Sequence, residues 1–392
     1  MKELHLALIG GPQYDGLLEQ LPKFEQQTGY RLHVDVRLPH VELNERMAKD
    51  LGTENGHYDM ISTHTKYCPS QAEHLQPLDG LVDADELSDF VPRVLELCRF
   101  STGTDQTREK LMQLPRNFDA RILFYRADLI AAPQTWDEAA TQMVEHTRDG
   151  FYGFAFPGRH SGLFGTFYEL LGMAGGDLFD ADLNPIFNSE AGEWSLTYLH
   201  RVHSVDRVTP PDLIENWYYD EISGRFRDGD VLMVGDFPGF YGLYQKRETC
   251  KVFDQFDVAV YPAGPAGIRK SYAGGHSFAI PKAARDPEGG LALAKYLTSS
   301  EVQWQEASVG GHTPVRKSIF EKIKSTQSGR DAKRMAVLEE TITQYAMVPP
   351  KFARYPLIED ILWSGVQEAM TGKLTTKETL LLMEEKVQEV LQ

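Results

Sequence analysis

The chain has 392 residues, 42% hydrophobic and 25% charged, an ordinary balance for a globular protein and a length that asks for two domains rather than one. Its 40 Lys and Arg residues against 57 Asp and Glu residues give a net charge of −17. That argues against nucleic acid and anionic membrane surfaces, both of which call for a basic face.

Residues 4–9, Leu-His-Leu-Ala-Leu-Ile, read as a buried strand running into the turn-rich Gly10-Gly11-Pro12-Gln13-Tyr14-Asp15. The run is far short of the roughly 20 apolar residues of a bilayer span. It is also too short for a signal-peptide core, and no small-residue cleavage site follows it. Leu17, Leu18, Leu21 and Phe24 recur at helical spacing, predicting a helix kinked at Pro22 and ended by Gly29. Residues 31–36 alternate as a second strand, 43–51 form a helix, and 58–62 form a short strand opening into Thr63-His64-Thr65. This alternation predicts an α/β sheet with ligand groups in the loops at the strands' carboxyl ends.

Further along, Thr135 and Glu138 form a capping box. The stretches 151–155, 231–235 and 277–281 read as strands, and 167–173 as a helix. A Pro/Gly-rich connection spans 261–269. Asp286-Pro287 marks an N-cap with proline at the first helical position, and Ser300 to Gln303 is a capping box. Thr375 with Glu378 is another, ahead of the apolar stripe Leu380, Met383, Val387 and Leu391. Cys68, Cys98 and Cys250 stand far apart with no zinc spacing, so buried thiols are expected. One disulfide, Cys68 to Cys98, is open to an oxidising compartment and would leave the third thiol free.

Catalytic and metal patterns are weak. Gly275-His276-Ser277-Phe278-Ala279 nearly fits the nucleophile elbow, but Ile280-Pro281 follows at once where that motif needs a helix. His57, Asp59 and His64 have no accompanying metal motif. A P-loop is absent, because Gly372-Lys373 lacks both the earlier glycine and the following hydroxyl residue. Trp217-Tyr218-Tyr219-Asp220 offers phenolates and a carboxylate, the hard ligands iron would take, although an aromatic run more often packs or stacks.

The stretch 114–138 carries a polar cluster, Asn117, Asp119 and Arg121, directly before the apolar run 122–125. It resembles the crossover segment of the bacterial extracellular solute-binding proteins, the carbohydrate-binding, maltose-binding-protein-like family of ABC importers. Other landmarks are similar in type and order: Phe24-Glu25-Gln26-Gln27-Thr28-Gly29, Phe226-Arg227-Asp228-Gly229-Asp230-Val231-Leu232-Met233, Gly274-Gly275 before Ile280-Pro281, Gly311-His312-Thr313-Pro314-Val315-Arg316, and Gly372-Lys373 before Thr376 and Glu378.

This resemblance implies a two-lobed α/β periplasmic-binding-protein fold, type II-like, joined by a three-segment hinge. Lobe one would hold 1–116 and 272–316, and lobe two 117–271 and 317–392. It implies a carrier rather than an enzyme, one that closes on a sugar or short oligosaccharide and delivers it to membrane permease subunits. That carrier would be a monomer in the periplasm or at the cell surface, its leader absent from the sequence, with no cofactor and no resident metal. Sugars call for flat aromatic platforms beside groups that give and take hydrogen bonds. The candidates are Gln13, Tyr14, His64, Gly274 and His276 in lobe one, with Thr65 and Lys66 as lesser ones. The crossover adds Asn117, Asp119 and Arg121, and lobe two adds Arg159, His160, Trp217, Asp236, Phe237 and Tyr241. Two places depart from the family's patterns, His276 where a Trp or Ser often stands and Arg159-His160 in a loop that is usually neutral, and together with His64 and Lys66 they point to an acidic sugar such as a uronate. The alternatives are a ferric or other metal binder of the same fold, and a glycoside-active enzyme using Asp119 and Asp236 as acid and base.

Overall fold

The computed structural model describes residues 2–11, 14–55, 57–101 and 109–392, with only the backbone at 15, 309 and 310. The chain divides into two compact units: Met1–Asp119, Gly274–Gln327 and Pro349–Ala353 in unit 1, and Ala120–Ala273, Ser328–Val348 and Arg354–Gln392 in unit 2.

Unit 1 is built on a five-stranded sheet in the order Arg31–Leu38, Glu3–Ile9, Met60–His64, His276–Ala279, Leu114–Pro115. The first three strands run parallel, and His276–Ala279 is antiparallel to both its neighbours. Glu3–Ile9 is apolar at nearly every position because helices cover both sides of the sheet. Leu4, Leu6 and Leu8 pack with Leu21, Phe24, Leu293 and Leu297. Ala7 and Ile9 pack on the other side with Leu43, Met47, Leu51 and Ile61. Pro22 does not kink one helix but opens a second. Asp15–Leu18 stops, and Leu21–Thr28 begins with the proline in its first turn, where the missing N–H costs nothing, and ends at Gly29 with φ 76°.

In unit 2 the sheet order is Phe256–Ala259, Ile122–Arg126, Val231–Asp236, Tyr152–Ala155. Helix His160–Met173 starts well before the predicted 167, and every residue after its first is buried. It is apolar all round because Glu190–His200 and Tyr355–Met370 pack on it. Ser271 and Tyr272 pair in parallel with Ala346 and Met347.

The third passage between units, predicted near 316, falls at 327/328, and a short return at 349–353 follows it. Helix Lys317–Thr326 stays with unit 1 because Ile319, Phe320 and Ile323 form a buried stripe and the helix packs on Ser300–Gln305. Lys351 ties the return to unit 1, its Nζ donating to the carbonyls of Glu96 and Arg99 at 3.2 Å each.

The caps follow local chemistry with small shifts. Thr375 and Glu378 close a reciprocal capping box. Thr135 accepts from the Glu138 N–H, whereas the Glu138 carboxylate reaches the N–H of Gln134, one residue further back than predicted. The cap predicted at Ser300 belongs to Ser299, whose hydroxyl accepts from Val302. All three cysteines are free and buried, so Cys68 and Cys98 are not bridged. Burial takes the Cys98 thiol up to about 12, leaving it a small apolar packing group. Among the described residues no helix is long and apolar enough to cross a membrane.

Candidate functional site

In unit 1 the polar groups converge at the carboxyl ends of the parallel strands, where an α/β sheet leaves its loops free for a ligand. His64 ends strand Met60–His64 and His276 begins strand His276–Ala279, and the antiparallel register sets them directly opposite each other. Cross-strand partners share a face, and here the ring centroids are 5.0 Å apart. His40, the first residue of helix His40–Asp50, closes a triangle at 5.1 Å from His64 and 5.2 Å from His276. The ring of Tyr67 lies 5.5 Å from His40, with the Lys66 ammonium 4.7 Å above it. Tyr14 places its hydroxyl 2.8 Å from His276 Nε2. The N–H of Lys66 donates to His64 Nδ1 at 3.2 Å, which leaves the ring proton on Nε2.

These imidazoles are hard to charge. Burial and then the Lys66 charge take His40 down to about 3. Burial, then His276, His40 and Lys66, hold His64 well below the ordinary range. Burial, then His40 and Arg116, do the same to His276 against the opposite pull of Asp119.

The crossover residues are mostly spent on one another. Asn117 donates to Asp119 Oδ2 at 2.6 Å and accepts from the His276 N–H at 3.3 Å. Asp119 Oδ1 accepts from Thr313 at 3.1 Å, and His312 lies 3.8 Å from its other oxygen. Burial opposes that charge, but the bonds and charge of His312 and Thr313 win and hold the carboxyl below its usual range. Arg116 is buried, ion-paired with Glu306, and stands 4.9 Å over the Tyr14 ring. Gly274 earns its place by absence of a side chain, since a Cβ there would stand 2.6 Å from His64 Nε2. Thr65 is used structurally, its N–H donating to the Gly275 carbonyl at 3.0 Å. Gln13 lies outside the described residues.

In unit 2 a run of half-buried rings forms a second patch. From Trp363 it passes to His160 at 5.0 Å, Tyr218 at 6.0 Å, Tyr219 at 4.6 Å and Phe237 at 5.1 Å. His160 takes a left-handed conformation, φ 51°, a strained choice for a non-glycine residue at the head of a helix. Tyr218 exchanges a hydrogen bond with Ser161 at 2.9 Å. Arg159 caps the same helix by its backbone alone and sits half-buried next to His160.

Other candidates of unit 2 face inward. Arg121 donates to Thr166 and Gly162 at 2.9 Å each and stands 3.4 Å from Glu169. Burial works against its charge, and Glu169 more than restores it. A Cβ on Gly165 would meet Arg121 Nη2 at 2.0 Å, so this glycine makes room for the guanidinium. Asp236 is fully buried, accepting from Tyr244 at 2.8 Å and from the Phe237 N–H at 2.8 Å, and burial raises it to about 7. Tyr241 is buried, donates to Asp331, and has Arg334 stacked 4.2 Å from its ring. Trp217 is buried with Arg225 at 5.5 Å.

Metal and nucleophile chemistry find little support. Among the described residues no three His, Cys, Asp or Glu side chains are arranged to hold a metal ion. Asp59 is spent on the backbone N–H groups of His5, Arg285 and Asp286. Burial pushes the Tyr219 phenol up. Ser277 sits inside a strand with Cys98 Sγ at 3.8 Å rather than on an elbow.

His40, Tyr67, Arg116 and Trp363 were not among the sequence candidates. His40 had a signal, because it follows directly after the carboxyl end of strand Arg31–Leu38. Trp363 had none, because helix Tyr355–Met370 reaches the patch only through tertiary packing.

A family model described as bacterial extracellular solute-binding protein matches residues 10–304. The chain is 24% identical over 356 residues to a probable amino-acid ABC transporter periplasmic-binding protein of Sinorhizobium fredii (strain NBRC 101917 / NGR234), a match covering 87% of this chain and 78% of that one. It is similar to maltose-bound MalE3 of T. maritima, with a TM-score of 0.88, 23% identity and 100% of both chains covered. It is also similar to an ABC transporter solute-binding protein of Agrobacterium radiobacter K84 in complex with ribitol, with a TM-score of 0.86, 21% identity, and 99% and 98% covered.

Proposed function

This chain belongs to the bacterial extracellular solute-binding proteins and has their two-lobed α/β fold, and from that premise we propose that it is the substrate-binding component of an ABC importer for a sugar or short oligosaccharide. It works outside the cytoplasmic membrane, as a monomer, and hands its solute to permease subunits. The observation that carries the sugar reading is the run of half-buried rings from Trp363 to Phe237 in unit 2. Pyranose rings bury their C–H faces on such platforms, and their hydroxyls need fixed donors and acceptors nearby. In unit 2 those groups are Arg159, His160 and Tyr218. Unit 1 has a polar patch of its own, Tyr14, His40, His64, His276 and Lys66.

Micromolar binding corresponds to about −8 kcal/mol, within reach of two stacked rings and several hydrogen bonds after ordering costs. The test is calorimetry of the full chain against neutral sugars, oligosaccharides, polyols, uronic acids and amino acids. Micromolar binding of a sugar or polyol, weakened at least tenfold in Trp363→Ala, supports the reading. Binding confined to amino acids, or glycoside turnover by the purified protein, overturns it.

A further inference from the structure

We propose that Arg121 is the positioning residue of the ring platform in unit 2: it does not touch the solute but fixes the rings on which the solute stacks. The inference rests on the sugar-carrier reading above and adds the group that holds its platform in shape. A run of half-buried rings binds well only if the rings already stand where a pyranose needs them. Side chains that become ordered at the moment of binding subtract from affinity.

Arg121 stands directly before strand Ile122–Arg126, is 1% exposed, and reaches the platform by two routes. The first is direct. Its guanidinium carbon lies 5.7 Å from the ring centroid of Tyr219 and 5.7 Å from that of Phe237, with Tyr272 at 5.2 Å. A planar, delocalised cation can lie against several rings at once. Tyr219 begins helix Tyr219–Asp228, and Phe237 directly follows strand Val231–Asp236. Local structure therefore does not set the 5.1 Å between these two rings, and Arg121 is a group common to both.

The second route runs through the first turns of helix His160–Met173. Arg121 Nη2 donates to the Gly162 carbonyl and Nη1 to the Thr166 hydroxyl, at 2.9 Å each. Gly162 packs against Tyr218, since a Cβ there would stand 2.9 Å from Tyr218 Cε2. Its neighbour Ser161 shares a hydrogen bond with the Tyr218 hydroxyl at 2.9 Å. His160, left-handed at φ 51°, keeps that conformation only while the turn after it is fixed. One guanidinium bears on four of the five rings, and Trp363 is reached through His160 at 5.0 Å. With both terminal nitrogens donating inside unit 2 and Glu169 at 3.4 Å, the fork is not open to a group of the solute.

The test removes the guanidinium without stranding a buried charge. In Arg121→Met combined with Glu169→Gln, the Gly162 carbonyl keeps the Thr166 hydroxyl at 3.2 Å. The amide that replaces Glu169 still accepts from the Tyr272 N–H, as the carboxylate does. Replacing both partners of a buried ion pair is often neutral for stability. Hydrogen exchange of the unliganded full chain should rise at 159–166, 217–221 and 236–240 and stay unchanged in unit 1. Calorimetry with maltose, maltotriose, cellobiose, mannitol and glucuronate should show a tenfold or greater loss of affinity for whichever of these the native chain binds. Arg121→Lys keeps the charge beside Glu169 but not the plane. Its urea midpoint should therefore lie close to the native one while affinity stays at least fivefold low. Affinity losses from Tyr219→Ala and from the double variant should combine to less than their product, because Arg121 acts through the ring that Tyr219→Ala removes. Unchanged exchange, affinity within about twofold of native, full affinity in Arg121→Lys, or independent losses with Tyr219→Ala overturns the proposal and leaves the sugar-carrier reading standing. Absence of binding by every one of these solutes to the native chain overturns both.

Discussion

Gly274 shows how one missing side chain shapes the unit 1 patch. A Cβ would stand 2.6 Å from His64 Nε2, so Gly274→Ala should push the imidazole from its place opposite His276. Overpacking of this kind costs about 1–3 kcal/mol. The expected outcome is a modest fall in the denaturant midpoint with a larger, tenfold or greater, loss of solute affinity. The histidines also set a pH dependence. Their folded values lie below the unfolded imidazole value, so the unfolded chain binds more protons below about pH 6.5. Stability is therefore fully present above that pH and is lost as pH falls, by about 1–2 kcal/mol for His40 by pH 5, with His64 and His276 acting in the same direction. Urea unfolding of the unliganded protein at pH 7.5 and 5.0 should show the fall, and His40→Gln should flatten it.

At the scale of elements, helix His160–Met173 is the organiser of unit 2, and Arg121 is what pins it. The guanidinium holds Gly162, Thr166 and Glu169, one per turn along the helix, while Glu169 accepts from the Tyr272 N–H at 2.6 Å. Arg121→Met would leave a buried carboxylate without its counter-charge, a loss of about 3–5 kcal/mol, read as a large drop in the urea midpoint. By contrast, Thr375→Ala removes one exposed cap from the last helix. It should cost only about 1 kcal/mol and leave solute binding unchanged. The contrast separates a packed ion pair from a local helix signal.

For the whole molecule, solute binding and stability are linked. A solute that binds only the folded chain stabilises it by about 2.7 kcal/mol at 100 times its dissociation constant. The unfolding midpoint should climb logarithmically with concentration of any true solute and stay flat with a non-binding sugar.

Much of this was legible in the chain. Strands Glu3–Ile9, Met60–His64 and Val231–Asp236, the box at Thr375 and the histidine pair His64 and His276 carry local signals, because period, caps and strand-end position act over a few residues. What local patterning could not decide was which polar groups turn inward. Asp236, Tyr241 and Arg121 look in sequence like loop groups beside a strand end, yet Tyr241 and Arg121 are consumed by partners far along the chain, Asp331 and Glu169, and Asp236 by its near neighbours Tyr244 and Phe237. His40 and Trp363 enter the patches for the same reason in reverse. Their neighbours are set by strand register and helix packing between segments tens to hundreds of residues apart, and those contacts form only when the hydrophobic faces that drive folding have chosen their mates.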